Sequence, residues 1–190
     1  VGRSYEAIIR INSQSGKGGV AYVLSEEHGF QLPREMQPEF SAVVQRWTDR
    51  TGEEATPDVI KRLFEETYVE GDAVVLLGCS IRMTGGRDAR DGHAASVEAA
   101  IIADGRELIV KGDGNGPIDA FIRALATGLD EPIEVTAFSE HALSSGSAAR
   151  AVAYLRVKGR AGERFGVGVA ESIDIASYEA ILSALRCGAR

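Results

Sequence analysis

The sequence predicts an α+β protein in which a small helical subdomain precedes two pseudo-symmetric βββα units. Three observations lead there. The hydrophobic period changes near Gly71-Asp72 from helical spacing to the alternation of strands. Beyond that point, turn signals at Asp104-Gly105 and at Gly159 to Gly162 each separate two apolar stretches. An eight-residue order of apolar, acidic, Ala, apolar, apolar, polar, Ala, Leu also occurs twice, at Ile118 to Leu125 and at Tyr178 to Leu185.

Taken in order, Tyr5, Ala7, Ile9 and Ile11 alternate as in a strand. A Gly- and Ser-rich loop from Asn12 to Gly19 follows, then an apolar stretch from Val20 to Leu24. Pro33 opens a helix whose Met36, Phe40, Val43, Val44 and Trp47 share one face, and Gly52 ends it. Thr56-Pro57, an N-cap followed by proline, starts a second helix with Val59, Ile60, Leu63, Phe64 and Tyr68 as its apolar face. Residues 1–70 are therefore expected to form a linker subdomain with two helices. So little amphipathic surface should dock on another part of a longer protein.

Residues 71–190 are expected to form one domain. Strands are predicted over Ala73 to Met83, Ala94 to Ala103 and Glu107 to Lys111, then a helix from Pro117 to Ala126. The scheme repeats with strands at Ile133 to Phe138, Ala149 to Val157 and Arg164 to Val169, and a helix from Ile175 to Leu185. Each unit has a sheet with one apolar face and a helix to cover it.

Composition narrows the function. A net charge of −7, with Lys and Arg scattered, excludes a nucleic-acid binder, which needs a basic face. The 44% hydrophobic and 26% charged residues describe a packed domain, not a disordered one. Cys79 and Cys187 share no CxxC spacing and read as reduced thiols of a cytoplasmic protein. The longest apolar run, Ala73 to Gly78, is too short to span a bilayer, so no membrane partner is expected. The chain starts within a strand pattern at Val1 and is expected to be a piece of something longer.

The strongest local motif is GDGNGPIDA, Gly112 to Ala120. Its glycines are expected to form a tight turn and to leave the start of the next helix bare, with Pro117 as the first helical residue. Free N–H groups and the positive end of the dipole then suit a small carboxylate or phosphate, although a purely structural turn needs the same glycines. Gly166, Gly168 and Glu171-Ser172-Ile173 make a matching place in the second unit. Two such turns meeting at a seam lined by Ile118, Val135, Ala142, Ala149 and Ile173 would form a small apolar pocket with carboxylate-binding ends. Such a pocket suits a branched aliphatic amino acid.

Other motifs carry less chemistry. SGKGG (Ser15 to Gly19) lacks the hydroxyl residue that a phosphate loop places after its lysine, and reads as a polar loop. His28, His93 and His141 share no ligand spacing, so no metal site and no cofactor are expected in this chain, and His141 beside Glu140 reads as structural. Ser144, Ser145 and Ser147 lack the GxSxG context of a nucleophile. No catalytic constellation emerges.

At these residues the chain resembles a known family. NSQSGKGGVAY and the helix within Gly29 to Gln45 are similar to the second linker subdomain of 2-isopropylmalate synthases, in their actinobacterial branch above all. GDGNGPIDA, SEHALSSGSAARAVAYL (Ser139 to Leu155) and FGVGVAESIDIASYEAILSAL (Phe165 to Leu185) resemble the LeuA-type allosteric and dimerisation domain of that family. The resemblance covers nearly the whole chain, least from Asp72 to His93. It implies an acyltransferase that condenses acetyl-CoA with 2-oxoisovalerate at the first committed step of leucine biosynthesis. The catalytic TIM barrel, with its divalent metal, would lie N-terminal to Val1, so this chain alone would be inactive. It also implies a homodimer joined through the regulatory domain and feedback inhibition by leucine bound where the two regulatory domains meet.

Matched residue by residue, the effector-lining positions are Gly114, Gly116, Ile118, Asp119, Val135, Phe138, Ala142, Ala149 and Ile173, with Asp119 able to hold the effector's ammonium. Many relatives carry Tyr-Tyr where this chain has Phe138-Ser139, and the missing phenol would remove a polar contact. The alternatives are the equivalent domain of a citramalate synthase sensing isoleucine, a stand-alone amino-acid-binding module, and a self-sufficient enzyme.

Overall fold

The computed structural model describes residues 17–70, 74–84, 94–143 and 149–186. The strand expected at Tyr5 to Ile11, the glycine-rich segment 85–93, the loop 144–148 and Cys187 lie outside the described residues. The chain divides into two units, Val1–Thr67 and Tyr68–Arg190.

The first unit is helical among its described residues: α1 (Lys17–His28), α2 (Met36–Thr51) and α3 (Pro57–Phe64), which runs on into a π-type turn, Glu65–Val69. Helix α2 follows a turn opened by Pro33, whose carbonyl accepts from Met36 N. It ends at Gly52, which adopts φ 71° and donates its N–H to Thr48 O. A residue with a Cβ is strained in that left-handed conformation, so glycine terminates the helix cleanly. Thr56 caps α3 by accepting from Val59 N, with Pro57 as the first helical residue. Met36, Phe40 and Val44 from α2 are buried, as are Ile60, Leu63 and Phe64 from α3. Phe64 sits between Phe30 (centroids 4.9 Å apart) and Phe40 (5.4 Å, edge-on). Helix α1 is not foreseen in the sequence reading. Lys17, Gly18 and Gly19, assigned there to a loop, belong to its first turn, so the described residues of the first unit hold three helices where two are expected.

The second unit is the expected pair of βββα units. Strands β1 (Val74–Met83), β2 (Ala95–Ala103) and β3 (Arg106–Gly114) form one antiparallel sheet, followed by α4 (Pro117–Gly128). Strands β4 (Glu134–Ala142), β5 (Ala151–Gly159) and β6 (Gly162–Ala170) form another, followed by α5 (Ile173–Arg186). Asp104 and Gly105, both at positive φ, make the tight turn between β2 and β3. Ala95, Val97, Ala99, Ile101 and Ala103 alternate toward the helix and are buried.

The repeat is close in backbone terms. β2, β3 and α4 recur after 56 residues: Ala95 becomes Ala151, Arg106 becomes Gly162 and Pro117 becomes Ile173. The first strand recurs after 59 residues, and its one-residue bulge recurs with it, at Leu77 in β1 and at Thr136 in β4. The sequence pairs Ile118 with Tyr178, a shift of 60; the structure pairs Tyr178 with Ile122. The two octets are therefore one helical turn out of register.

A second correction concerns the glycines of GDGNGPIDA. Gly112 and Gly114 are not in a turn but in strand β3, beneath α4. A Cβ on Gly112 would run into Ala120 O and lie 2.6 Å from Ala124 N. A Cβ on Gly168 in β6 would run into Ala176 O and lie 2.7 Å from Ala180 N, the same contacts shifted by 56. These glycines let each helix rest on its strand backbone. Gly168→Ala should destabilise the fold by about 1–3 kcal/mol, because the methyl meets unyielding backbone. Gly78→Ala, where a Cβ meets nothing within 4 Å, should be close to neutral. Urea unfolding of the two variants checks the contrast.

Candidate functional site

The N-terminal turns of α4 and α5 come together. Tyr178, in the second turn of α5, stacks on Phe121 of α4 with ring centroids 3.9 Å apart and 15° between planes. Its hydroxyl donates to Pro117 O at 3.0 Å, joining residues 61 apart in sequence. Cys79 on β1 and Asp174 in the first turn of α5 are close enough to act on Tyr178 electrostatically. Burial, then those two neighbours, hold the Tyr178 phenol well above its ordinary value of 10.0. Burial and Asp174 likewise raise the Cys79 thiol.

The first turn of α4 is closed by its own side chains. Gly116 is the extended N-cap (φ −168°), with no side-chain cap. Asp119 Oδ2 accepts from Asn115 N at 2.9 Å, and Arg123 Nε reaches both carboxylate oxygens at 3.1 and 3.2 Å. The carboxylate thus satisfies a loop donor and faces the positive end of the helix. At the second turn the matching task falls to Glu179, whose Oε2 accepts from Val169 N at 3.3 Å.

The residues singled out in the sequence fall into two sets. Gly114, Gly116, Ile118 and Asp119 lie at the β3–α4 junction, and Ile173 opens α5, with Ile118 and Ile173 half-buried against the core. Val135, Phe138 and Ala142 lie on β4, and register places all three on the face that in the rest of the sheet meets the helix, opposite Val157, Leu155 and Ala151. Ala149 is half-buried just before β5. Phe138 is 47% exposed and Ala142 is exposed. Helix α5 packs against β1 as well as its own sheet, whereas α4 makes no comparable interface with β4 among the described residues. Within one chain Phe138 and Ala142 are left uncovered, while Val135 is half-buried against the core.

Sequence reasoning missed Tyr178, Cys79 and Asp174 as a cluster. The octet register assigned Tyr178 to the wrong helical turn, and its contact with Pro117 is entirely non-local. His141 lies nearly parallel to the Tyr154 ring, with centroids 5.6 Å apart. No helix among the described residues is long and apolar enough to cross a membrane.

Two repeated βββα units, helices sharing a seam and one strand face left open define an α+β module of paired repeats. Comparison with known proteins gives the family. The model of the LeuA allosteric (dimerisation) domain matches residues 54–187, and that of the alpha-isopropylmalate synthase post-catalytic domain-like family matches residues 1–25. The chain belongs to the LeuA allosteric (dimerisation) domain family. It is 48% identical over 187 residues to a 2-isopropylmalate synthase of Rhizobium meliloti, covering 97% of this chain and 33% of that protein. It is 45% identical over 195 residues to one of a Parafrankia species, covering 100% and 33%, and 42% identical over 186 residues to one of Corynebacterium glutamicum, covering 97% and 29%. The chain spans about a third of the length of these relatives.

Tyr178→Phe should cost about 0.5–1.5 kcal/mol of stability at neutral pH through loss of the hydrogen bond to Pro117. Because the folded-state pKa is raised, the phenol's contribution is full below about pH 10 and is lost as pH rises above it. The variant should therefore lose less stability than the parent between neutral and strongly alkaline pH, as measured by urea unfolding across that range.

Proposed function

We propose that this chain is the leucine-sensing and dimerising portion of a 2-isopropylmalate synthase. In this reading its partner is a catalytic TIM barrel that binds a divalent metal and condenses acetyl-CoA with 2-oxoisovalerate. Leucine binds one state of the regulatory dimer more tightly, and that difference reaches the barrel as feedback inhibition. The observation that carries the reading is the uncovered face of β4. Its counterpart on β1 is covered by α5, so two-fold pairing of chains would let α4 of one copy cover β4 of the other. That pairing would join the Gly114, Gly116, Ile118, Asp119 and Ile173 set of one copy to the Val135, Phe138, Ala142 and Ala149 set of its partner. The result would be a small, largely apolar pocket with the Asp119 carboxylate at its edge to receive an ammonium, suited to a branched amino acid.

Titration calorimetry of the chain with leucine, isoleucine and valine tests this. Saturable heat with leucine preferred is expected. Isoleucine preferred would move the assignment to the citramalate-synthase type of sensor, since the two ligands differ only in methyl placement. No heat with any of the three, from a folded dimer, would overturn the leucine reading. Restoring a phenol with Phe138→Tyr should tighten leucine binding by about two- to ten-fold if the hydroxyl regains a partner. In sedimentation velocity, Phe138→Glu should shift the chain toward monomer, because a charge on an apolar contact face is left desolvated.

A further inference from the structure

At the hairpin end of the second unit, away from the helix N-termini, lies a cavity of about 280 Å³. Leu129, Val157 and Leu185 form an apolar floor, and the charged residues of its lining are Asp104, Glu131, Arg160 and Arg164. The two arginines differ. Arg160 is engaged, with Nη2 donating to Asp130 O at 2.7 Å and ion pairs to Asp130 and Glu131. Arg164 is half-buried, and it has no hydrogen bond and no ion pair among the described residues. Cross-strand pairing with Val157 puts it on the helix-facing side of the sheet. The 56-residue repeat makes the departure plain. The equivalent position in the first βββα unit is Leu108, which packs against the core opposite Ile101. The second unit thus replaces an apolar packing residue with a cation and opens a cavity beside it.

A partly desolvated guanidinium gains most from a carboxylate, which it can hold with two parallel hydrogen bonds. The floor offers apolar contact for a tail of four or five carbons, and the volume suits a small molecule. We infer that this cavity binds a short aliphatic carboxylate, its acid group on Arg164 and its tail on Leu129, Val157 and Leu185. The site is separate from the effector site proposed above and does not depend on it. Two sources share the chemistry. A simple aliphatic acid uses Arg164 and the floor alone, whereas an α-amino acid would also bring an ammonium that Glu131 can receive.

Methyl-resolved NMR of the 190-residue chain tests the inference, with 4-methylpentanoate, L-leucine and acetate as probes. Saturable shifts of the Leu129, Val157 and Leu185 methyls with 4-methylpentanoate or L-leucine are expected, and the tighter of the two identifies the source. Arg164→Gln should weaken binding at these methyls about ten-fold or more, and Arg164→Lys, which keeps the charge but loses the fork, should fall between. The Ile118 and Ile173 methyls report the other site, and their response to leucine should persist in both variants. Unmoved floor methyls, an unchanged affinity in Arg164→Gln, or an equal response to acetate would overturn the site.

Discussion

Close contact between helix and strand backbone is the constraint on which the second unit rests. Gly112 under Ala120 and Ala124, and Gly168 under Ala176 and Ala180, remove the side-chain layer that normally separates a helix from a sheet. Once a helix sits on bare backbone its facing side is fixed. Rotation about its axis would bring larger side chains such as Phe121 in α4 or Ile181 in α5 toward the glycine, whereas Ala120 and Ala124, and Ala176, Ala180 and Ala184, keep the contact row small. That fixed facing aims the N-termini of α4 and α5 at the same seam, where Tyr178 can reach Pro117. Ala95, Ala99 and Ala103 on β2 extend the thin layer across the sheet. The small residues are therefore a positioning device, and the close packing they permit supplies dispersion contacts as well.

From this follows an asymmetry between two nearly identical units. The backbone repeat includes even the bulges at Leu77 and Thr136. Yet Cys79 packs against the core, while its counterpart Phe138, 59 residues on, is 47% exposed. An intrachain helix covers one first strand and leaves the other open. The open strand is the face on which a second copy would supply what the first lacks, and that is what the proposed dimerisation would consist of physically.

Much of the fold was legible in the sequence. Strands with a period of two, an Asp-Gly turn and a Thr-Pro helix start are local signals, and local signals survive without tertiary knowledge. What was not legible depended on contacts between distant residues. Two glycines under a helix look the same in sequence as two glycines in a turn, and only the contacts of Ala120 and Ala124 distinguish them. The octets matched at the wrong shift because helices repeat their own pattern every three to four residues, so a one-turn error keeps apolar on apolar. Helix α1 was hidden by Gly18 and Gly19 in its first turn and by Tyr22, which is 54% exposed and blurs any apolar face. At the candidate site, Asp119 was recognisable as a residue of the helix start, but its closure by Asn115 N and Arg123 was not.

A site divided between two copies has a thermodynamic consequence. If one chain holds the Asp119 carboxylate and its partner the β4 wall, an effector binds the dimer and barely binds the monomer. Linkage then requires that the effector strengthen dimerisation by the same factor by which dimerisation strengthens effector binding. Sensing and assembly would then be one equilibrium, and the uncovered Phe138 would belong to both. The Tyr178 bridge matters here because it ties the α5 start to the α4 start within one copy, so a shift of either helix end at the interface is shared by both units. A domain built from two rigid helix-on-glycine units has few soft directions, and the seam between the units is the natural one for such a shift to follow.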